Sequence, residues 1–172
     1  NLENALATAC LARVAGVAPA AIAQALQHFA GVEHRCEKVA AVDGVLYVND
    51  SKGTNPDATV KALEAFTPPL ILIAGGRDKG TSLHQLVAVI KERCRAVILI
   101  GEAAPKFKQA LGEGGFPSIY EAETLPAAVG LAHGLAHRGE TVLLSPACAS
   151  FDMFQNYEQR GQVFKQEIGR AS

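Results

Sequence analysis

Short apolar segments alternate with amphipathic segments over most of the chain, and this alternation restricts the possible folds more than any other feature. It predicts strands at residues 45–49, 70–74, 96–100, 118–121 and 141–145, and helices at residues 55–66, 82–93, 105–111, 124–137 and 154–168. Strands joined by helices pair in parallel, and the helices then cover both faces of the sheet. The sequence therefore predicts an α/β domain with an open, mainly parallel sheet.

The beginning of the chain follows a different pattern. Apolar residues recur at helical spacing in two alanine-rich segments, and Gly16 and Gly31 follow them where a helix would end. Residues 38–41 and 45–49 are then predicted to form a hairpin that turns at Asp43-Gly44. We therefore expect a short helical segment at residues 1–32 and the α/β domain at residues 33–172.

Composition excludes several classes of protein. The 172 residues carry a formal net charge of -1, no tryptophan and 49% hydrophobic residues, so we expect neither nucleic-acid binding nor disorder. The longest apolar runs have the length of a strand, too short for a membrane span. The four cysteines are widely spaced, which is typical of free thiols in the cytoplasm. Because Met153 is the only methionine, we expect the chain to start partway through a longer protein.

Ligands of such sheets bind beyond the carboxyl ends of the strands, and the first of these ends carries an unusually polar loop. Residues 49–55 have the sequence NDSKGTN. This loop combines a carboxylate, an ammonium group, hydroxyls and amides, a set that suits an anionic ligand beside a helix N-terminus. Asn55 alone is explained as a helix cap, but a cap needs only one such residue. We therefore predict that the loop is functional.

Two further loops follow later strands. Residues 75–81 contain paired glycines, which permit close backbone approach, and Lys79, which can reach a carboxylate or phosphate. An ordinary glycine-rich turn explains this second loop equally well, and it matches neither the phosphate-binding P-loop nor the dinucleotide fingerprint. Residues 143–152 place small residues at a strand end. There Ser150 could donate to a carboxylate, while Tyr157 closes the apolar side.

Three other groups have competing explanations. Cys148 could be a nucleophile, but no histidine is near it in the sequence, which favours a buried small residue. His133 and His137 have the spacing of a zinc-binding pair, yet no third ligand is evident, and we predict no metal site. The pair His34-Arg35 could supply a phosphate-directed arginine or be an ordinary surface pair.

Taken together, the loops resemble the motifs of one family. Six motifs occur in order: NLEN (1–4), HRCE (34–37), NDSKGTN (49–55), GGRDKG (75–80), LSPACASFD (144–152) and FQNYEQRG (154–161). Over essentially its whole length the chain resembles the Mur ligase family, and within it the member that adds D-glutamate to UDP-N-acetylmuramoyl-L-alanine. The resemblance implies an N-terminal UDP-sugar domain, a central ATPase domain that ends with residues 1–32, and a Rossmann-like amino-acid-binding domain at residues 33–172.

The resemblance also implies a reaction of peptidoglycan precursor synthesis. ATP, acting with Mg²⁺, phosphorylates the alanyl carboxylate of the UDP-sugar, and the amine of D-glutamate attacks the resulting acyl phosphate. Most of the ATP and Mg²⁺ contacts would lie in the other two domains. We therefore expect this chain to be inactive by itself.

Residue roles follow from the same resemblance. Arg35 and Lys52 are the candidate catalytic residues, Arg35 as a phosphate contact and Lys52 near the phosphates at the closing interface. For the nucleotide, Asn4 resembles the adenine contact and Asp50 the ribose contact. For D-glutamate, the resemblance assigns the α-carboxylate to Thr54 and Lys79 and the side-chain carboxylate to Ser150 and Tyr157.

Two positions depart from the family, and two other functions stay open. Gly53 stands where alanine is usual, which we expect to be harmless and slightly loosening, and Tyr157 stands where phenylalanine is common. Another family member, adding a different amino acid, is one alternative. A non-catalytic nucleotide- or sugar-binding module that acts alone is the other, and it predicts tight nucleotide binding by this chain.

Overall fold

The computed structural model describes residues 2–171, so Asn1, which opens the first motif, lies outside it together with Ser172. The chain divides into two compact units, Asn1–Gly31 and Val32–Ser172. The first unit contains α1 (Leu2–Val14) and α2 (Pro19–His28), which contact each other. Its apolar side chains are largely exposed, for example Leu11 at 72% and Val14 at 89%.

The second unit opens with the predicted hairpin. Strand β1 (Glu37–Val42) pairs antiparallel with β2 (Val45–Asn49). Both turn residues have positive φ, 52° at Asp43 and 80° at Gly44. This left-handed geometry matches the twist of the flanking strands, and Asp-Gly is a preferred sequence for it. The hairpin prediction is confirmed.

A single mixed sheet organises the rest of the second unit. The remaining elements are α3 (Pro56–Glu64), β3 (Leu70–Gly75), α4 (His84–Arg93), β4 (Cys94–Ile100), α5 (Ala104–Glu113), β5 (Ile119–Glu121), α6 (Leu125–Leu135), β6 (Thr141–Leu144) and α7 (Tyr157–Ala171). The strand order is β1-β2-β6-β3-β4-β5, and every pair except β1–β2 is parallel. The predicted α/β, Rossmann-like fold with a mainly parallel sheet is confirmed.

Helices cover both faces of this sheet, each over its own apolar cluster. Helices α3, α4 and α5 contribute Leu63, Ile90 and Phe107 to one cluster. Helices α6 and α7 contribute Val129 and Phe164 to the other. All six residues of β3 are buried between them, which explains why this strand is continuously apolar rather than alternating. Complete burial of one such large side chain stabilises the fold by roughly 1.5–3 kcal/mol.

The predicted start of the last helix is wrong by three residues. Asn156 Oδ1 accepts a hydrogen bond of 2.7 Å from the backbone N–H of Gln159 and thereby caps the helix. Helix α7 therefore begins at Tyr157 instead of Phe154. Phe154 packs against the core from a turn that precedes the helix. It is apolar and fits the helical spacing for that reason, although it is not a residue of the helix.

Other helix boundaries also differ from the prediction, by one to three residues. Helix α4 begins at His84 rather than Ser82, whose Oγ accepts a hydrogen bond of 3.3 Å from the backbone N–H of His84. Helix α3 ends at Glu64 instead of residue 66. Helix α6 ends at Leu135, and the residue after it is extended. His137 therefore lies beyond the helix. It does not share a helix face with His133, as the predicted helix at residues 124–137 would require.

The structure also shows the state of the cysteines and the lengths of the helices. All four cysteines are free. No helix in the described part of the chain is both long enough and apolar enough to span a membrane.

Candidate functional site

The carboxyl ends of β2, β3 and β6 bring the three predicted loops together. The N–H of Ala147 donates to the carbonyl oxygen of Gly53 (2.8 Å), and Arg77 and Ala149 exchange backbone hydrogen bonds of 2.9 and 3.2 Å. Strand β6 lies between β2 and β3, so the third loop contacts both of the others. We call this surface, formed by residues 49–55, 75–81 and 145–152, the strand-end site.

The paired glycines of the second loop are required by backbone packing. Gly75 and Gly76 have φ values of 117° and 128°, a region that residues with a side chain rarely adopt. A Cβ atom on Gly75 would overlap the carbonyl oxygen of Ile100, and one on Gly76 would overlap that of Ala149. Contacts within the protein therefore explain both glycines, and they are no evidence for a ligand.

A buried arginine from α7 connects the first loop to the third. Arg160 is 1% exposed. Its Nε donates to Ser51 Oγ (3.0 Å), its Nη2 to the Ser51 carbonyl oxygen (2.8 Å) and its Nη1 to the Cys148 carbonyl oxygen (3.2 Å). Burial lowers the pKa of Arg160 to about 10, since desolvation disfavours the charged form. Arg160 lies in the last motif, but no role for it was predicted from the sequence.

The hydroxyl groups of the site fall into two classes. Those of Ser51 and Ser145 donate to protein acceptors, at 2.8 Å to the Tyr157 carbonyl oxygen and 2.7 Å to Asp50 Oδ2. The hydroxyls of Thr54 and Ser150 make no hydrogen bond with any residue from 2 to 171, although Ser150 is only 3% exposed. Buried polar groups are normally paired, so these two hydroxyls are available to a ligand.

Lys79 lies next to one of these hydroxyl residues. Its Nζ donates to the carbonyl oxygen of Thr54 at 3.3 Å, and the side chain is exposed. An ammonium group has three N–H donors, so two are left for a ligand. Thr54 and Lys79 were both expected at the α-carboxylate of D-glutamate, and the structure brings them together.

Asp50 is enclosed by protein groups. It is 6% exposed, its Oδ2 accepts from Ser145 Oγ, and its Oδ1 accepts from the backbone N–H of Cys36 at 3.2 Å. Burial raises the pKa of this carboxyl, while the Ser145 and Cys36 hydrogen bonds oppose the rise. Asp50 therefore fixes the first loop against β6, and its role as a ribose contact stays a prediction.

Gly53 makes this position of Asp50 possible. A Cβ atom on Gly53 would lie 2.5 Å from Asp50 Oδ2 and 2.7 Å from Ser145 Oγ. Both distances are shorter than real Cβ contacts, so an alanine here requires the Asp50–Ser145 pair to move. The difference from the family is therefore tied to the buried hydrogen bonds of the loop, and the expectation that glycine is harmless at this position stays a prediction.

The substitution Gly53→Ala tests this packing. We expect it to break the Asp50–Ser145 hydrogen bond and to lower the free energy of unfolding by roughly 1–3 kcal/mol, as overpacking does. Urea unfolding of the chain measures the change. Gly130→Ala is the matched control, because a Cβ there meets nothing within 4 Å and alanine favours a helix interior. Equal stability of the Gly53 and Gly130 variants would contradict the prediction.

Lys52 and Tyr157 are in direct contact. Lys52 Nζ donates to the phenol oxygen of Tyr157 at 2.9 Å and lies 4.7 Å from the centre of its ring. Both side chains are partly buried. The structure thus joins a candidate catalytic residue to a candidate substrate-binding residue.

Arg35 lies outside this cluster, and Asn4 belongs to the other unit of the chain. Arg35 is exposed, and its guanidinium forms no hydrogen bond or ion pair with a residue that the structure describes. Its charge acts to lower the pKa of Asp50, and a free guanidinium fits a phosphate contact. Asn4 is exposed on α1, within the first unit.

A cluster of two glutamates and a histidine near the start of the second unit pairs with a lysine of α7. Glu33, His34 and Glu37 place potential ligand atoms within 4.8 Å of one another. The Nζ of Lys165 lies 3.0 Å from Glu33 and 2.6 Å from Glu37. The two carboxylates therefore share one ammonium group, which offsets one of their two negative charges and gives the cluster a partner within the protein.

The other candidate groups have structural explanations. Cys148 is 3% exposed, and burial raises the pKa of its thiol to about 11, so the thiolate required of a nucleophile is disfavoured. His133 Nδ1 lies 2.8 Å from the hydroxyl oxygen of Tyr47, a buried residue of β2. Cys148 and His133 are therefore explained by the packing of the domain.

A family model matches most of this domain. The model described as "Mur ligase, glutamate ligase domain" matches residues 34–148. The chain belongs to the Mur ligase family. Curated relatives named UDP-N-acetylmuramoylalanine--D-glutamate ligase include one from Desulfitobacterium hafniense, 48% identical over 99% of this chain, and one from Acidobacterium capsulatum, 52% identical over 96%. The chain spans 37% and 35% of the length of these relatives and matches their C-terminal part.

Solved structures of Mur ligases and related synthases have the same fold. UDP-N-acetylmuramate-alanine ligase MurC from Thermotoga maritima gives a TM-score of 0.72 at 16% identity, over 100% of this chain and 38% of that one. MurF ligase from the same organism, in complex with ADP, gives 0.65 at 17% identity, over 99% and 39%. Mycobacterium tuberculosis folylpolyglutamate synthase gives 0.68 at 15% identity, over 92% and 38%. At these identities the likeness establishes the fold alone.

Proposed function

We propose that this chain is the amino-acid-binding part of an ATP-dependent ligase that joins D-glutamate to UDP-N-acetylmuramoyl-L-alanine. The strongest support is the identity of 46–52% to relatives that carry this activity in their name. The strand-end site agrees with it, since the hydroxyls of Thr54 and Ser150 and the ammonium of Lys79 are available. Hydroxyls and one ammonium group suit a doubly anionic amino acid without overcharging the site.

The proposal gives each available group a role. Thr54 and Lys79 bind the α-carboxylate of D-glutamate, and Ser150 and the backbone of Tyr157 bind its side-chain carboxylate. Arg35 and Lys52 stabilise the phosphoryl group, and Asn4 and Asp50 contact the adenine and the ribose of the nucleotide. The domain assignments, with residues 1–32 ending the central ATPase domain and residues 33–172 forming the amino-acid-binding domain, belong to the same proposal.

The reaction proceeds in two steps. A terminal phosphoryl group of ATP is transferred to a carboxylate oxygen of the alanyl group. The amine of D-glutamate then attacks the carbonyl carbon, the bond to the phosphate oxygen breaks, and inorganic phosphate leaves while the amine loses a proton. This chemistry depends on positioning and on stabilising negative charge, which Arg35 and Lys52 fit. The central domain would hold most of the ATP and the Mg²⁺, and a reaction that uses ATP and a UDP-linked precursor belongs in the cytoplasm.

Amino-acid-dependent phosphate release tests the proposal. A full-length protein carrying this chain would receive ATP, Mg²⁺ and UDP-N-acetylmuramoyl-L-alanine, with D-glutamate, L-glutamate, L-lysine or diaminopimelate as the amino acid. Stimulation by D-glutamate alone supports the proposal. Stimulation by another amino acid would keep the family and change the substrate, and no stimulation by any of them would contradict a ligase role.

The isolated chain provides a second test. We expect it to release no phosphate and to bind ATP weakly, because the proposed site is completed by other domains when they close on it. Isothermal titration of the 172-residue chain with ATP measures this affinity. Micromolar or tighter binding would favour an independent nucleotide-binding module instead.

A further inference from the structure

Tyr157 is held by two buried residues besides the contact of its hydroxyl. Its carbonyl oxygen accepts the 2.8 Å hydrogen bond from Ser51 Oγ. Its ring meets the imidazole of His34 edge-on, with ring centres 6.0 Å apart and planes at 84°. Ser51 and His34 are 0% and 4% exposed. The ring therefore has one defined position, and its hydroxyl is placed by the surrounding core.

Lys52 is anchored by the same neighbours. Its backbone N–H donates to the carbonyl oxygen of His34 at 3.1 Å, and its side chain reaches the Tyr157 hydroxyl at 2.9 Å. Lysines 61, 106, 108 and 165 each pair with a carboxylate. Lys52 has no carboxylate partner among the described residues, so the phenol oxygen is what holds its ammonium group.

The hydroxyl of Tyr157 can accept and donate at the same time. Because its oxygen accepts from Lys52, its own proton is free for another acceptor. The next residue, Glu158, has a pKa below its usual range, and the Tyr157 hydroxyl is the first cause. Tyr157 and Glu158 open α7, and within residues 2–171 two of the three N–H donors of the Lys52 ammonium group have no protein acceptor.

We propose that Tyr157 is a positioning residue for Lys52, whose remaining N–H donors it presents to an anionic oxygen of the ligand. This inference rests on the proposed function and deepens it. The anionic oxygen belongs to the transferred phosphoryl group or to a carboxylate of D-glutamate, which have the same hydrogen-bonding chemistry. A phenylalanine, which is common at this position in the family, has no oxygen to hold Lys52.

Tyr157→Phe in the full-length protein tests the role of the hydroxyl. Losing one hydrogen bond worth about 1 kcal/mol should lower kcat/KM roughly fivefold. A fall in kcat with unchanged KM for D-glutamate identifies the phosphoryl group as the ligand of Lys52, and a rise in that KM identifies the carboxylate. Tyr120→Phe is the matched control, since Tyr120 is an exposed residue of β5, and its activity should be unchanged. Wild-type kinetics of Tyr157→Phe would overturn the inference.

A double-mutant cycle separates positioning from direct contact with the ligand. In a Lys52→Met background, Tyr157→Phe should change kcat/KM less than about twofold, because the group it positions is absent. A fivefold loss in both backgrounds would mean that the hydroxyl contacts the ligand itself, and would overturn the inference.

Unfolding of the 172-residue chain tests the contact without activity. Urea unfolding of the wild type, both single variants and the double variant should give a coupling of roughly fivefold in the unfolding equilibrium constant. Additive effects would overturn the inference. This measurement also distinguishes the two proposals, because it can succeed even if D-glutamate fails to stimulate phosphate release.

Discussion

Replacing Arg160 with methionine should destabilise the chain by roughly 2–4 kcal/mol, more than any other single substitution discussed for the strand-end site. The guanidinium supplies three hydrogen bonds, to Ser51 Oγ and to the carbonyl oxygens of Ser51 and Cys148. Methionine fills much of the space and avoids the cost of burying a charge, but it leaves two buried carbonyl oxygens without this donor. The loss of these hydrogen bonds outweighs the gain.

Arg35→Met is the matched control for this substitution. Arg35 is exposed and has no side-chain partner within residues 2–171, so its replacement should change the free energy of unfolding by less than about 0.5 kcal/mol. The urea concentrations at the midpoints of unfolding measure both effects, provided that the dependence of the unfolding free energy on urea concentration is the same for the variants. Arg160→Lys should resemble the methionine variant, since one ammonium group cannot reproduce the planar fork of donors. An Arg160→Met chain as stable as the Arg35 variant would refute the structural role.

The fold was predictable because its signals are local. Strand β3 is apolar at nearly every position, the hairpin turns at Asp-Gly, and Thr124 and Asn55 cap the helices that follow them. The start of α7 was not predictable in the same way. Phe154 matches the helical spacing, but the cap at Asn156 decides where the helix begins, and spacing alone does not distinguish the two.

The site was predictable in its loops but not in the state of its side chains. Residue type does not distinguish the hydroxyl of Ser145, which donates to Asp50, from that of Ser150, which has no partner among the residues that the structure describes. That difference arises from contacts between segments about 95 residues apart in the chain. The space around the Cα of Gly53 likewise depends on Asp50 and Ser145 together, which residue type alone does not show.

Replacing Lys79 with methionine should lower kcat/KM for D-glutamate by about 10- to 100-fold in the full-length protein, corresponding to roughly 1.5–3 kcal/mol for a hydrogen bond between charged groups. In the described part of the chain, the Nζ of Lys79 donates only to the carbonyl oxygen of Thr54, at 3.3 Å, which leaves two of its N–H donors for a ligand. Methionine preserves much of the stem while removing the charge. Because the side chain is exposed, the free energy of unfolding should change by less than about 0.5 kcal/mol.

Lys61→Met is the control for the loss of one positive charge. Lys61 lies on α3, is 81% exposed and pairs with Glu64, so its replacement should leave D-glutamate kinetics within about twofold. Initial rates across a range of D-glutamate concentrations, at saturating ATP and UDP-sugar, separate the two variants. If both lysine variants lose activity equally, net charge rather than a contact explains the effect. If only Lys79→Met does so with unchanged stability, the ammonium group acts on the substrate, in contrast to the buried guanidinium of Arg160, which acts by holding the loops.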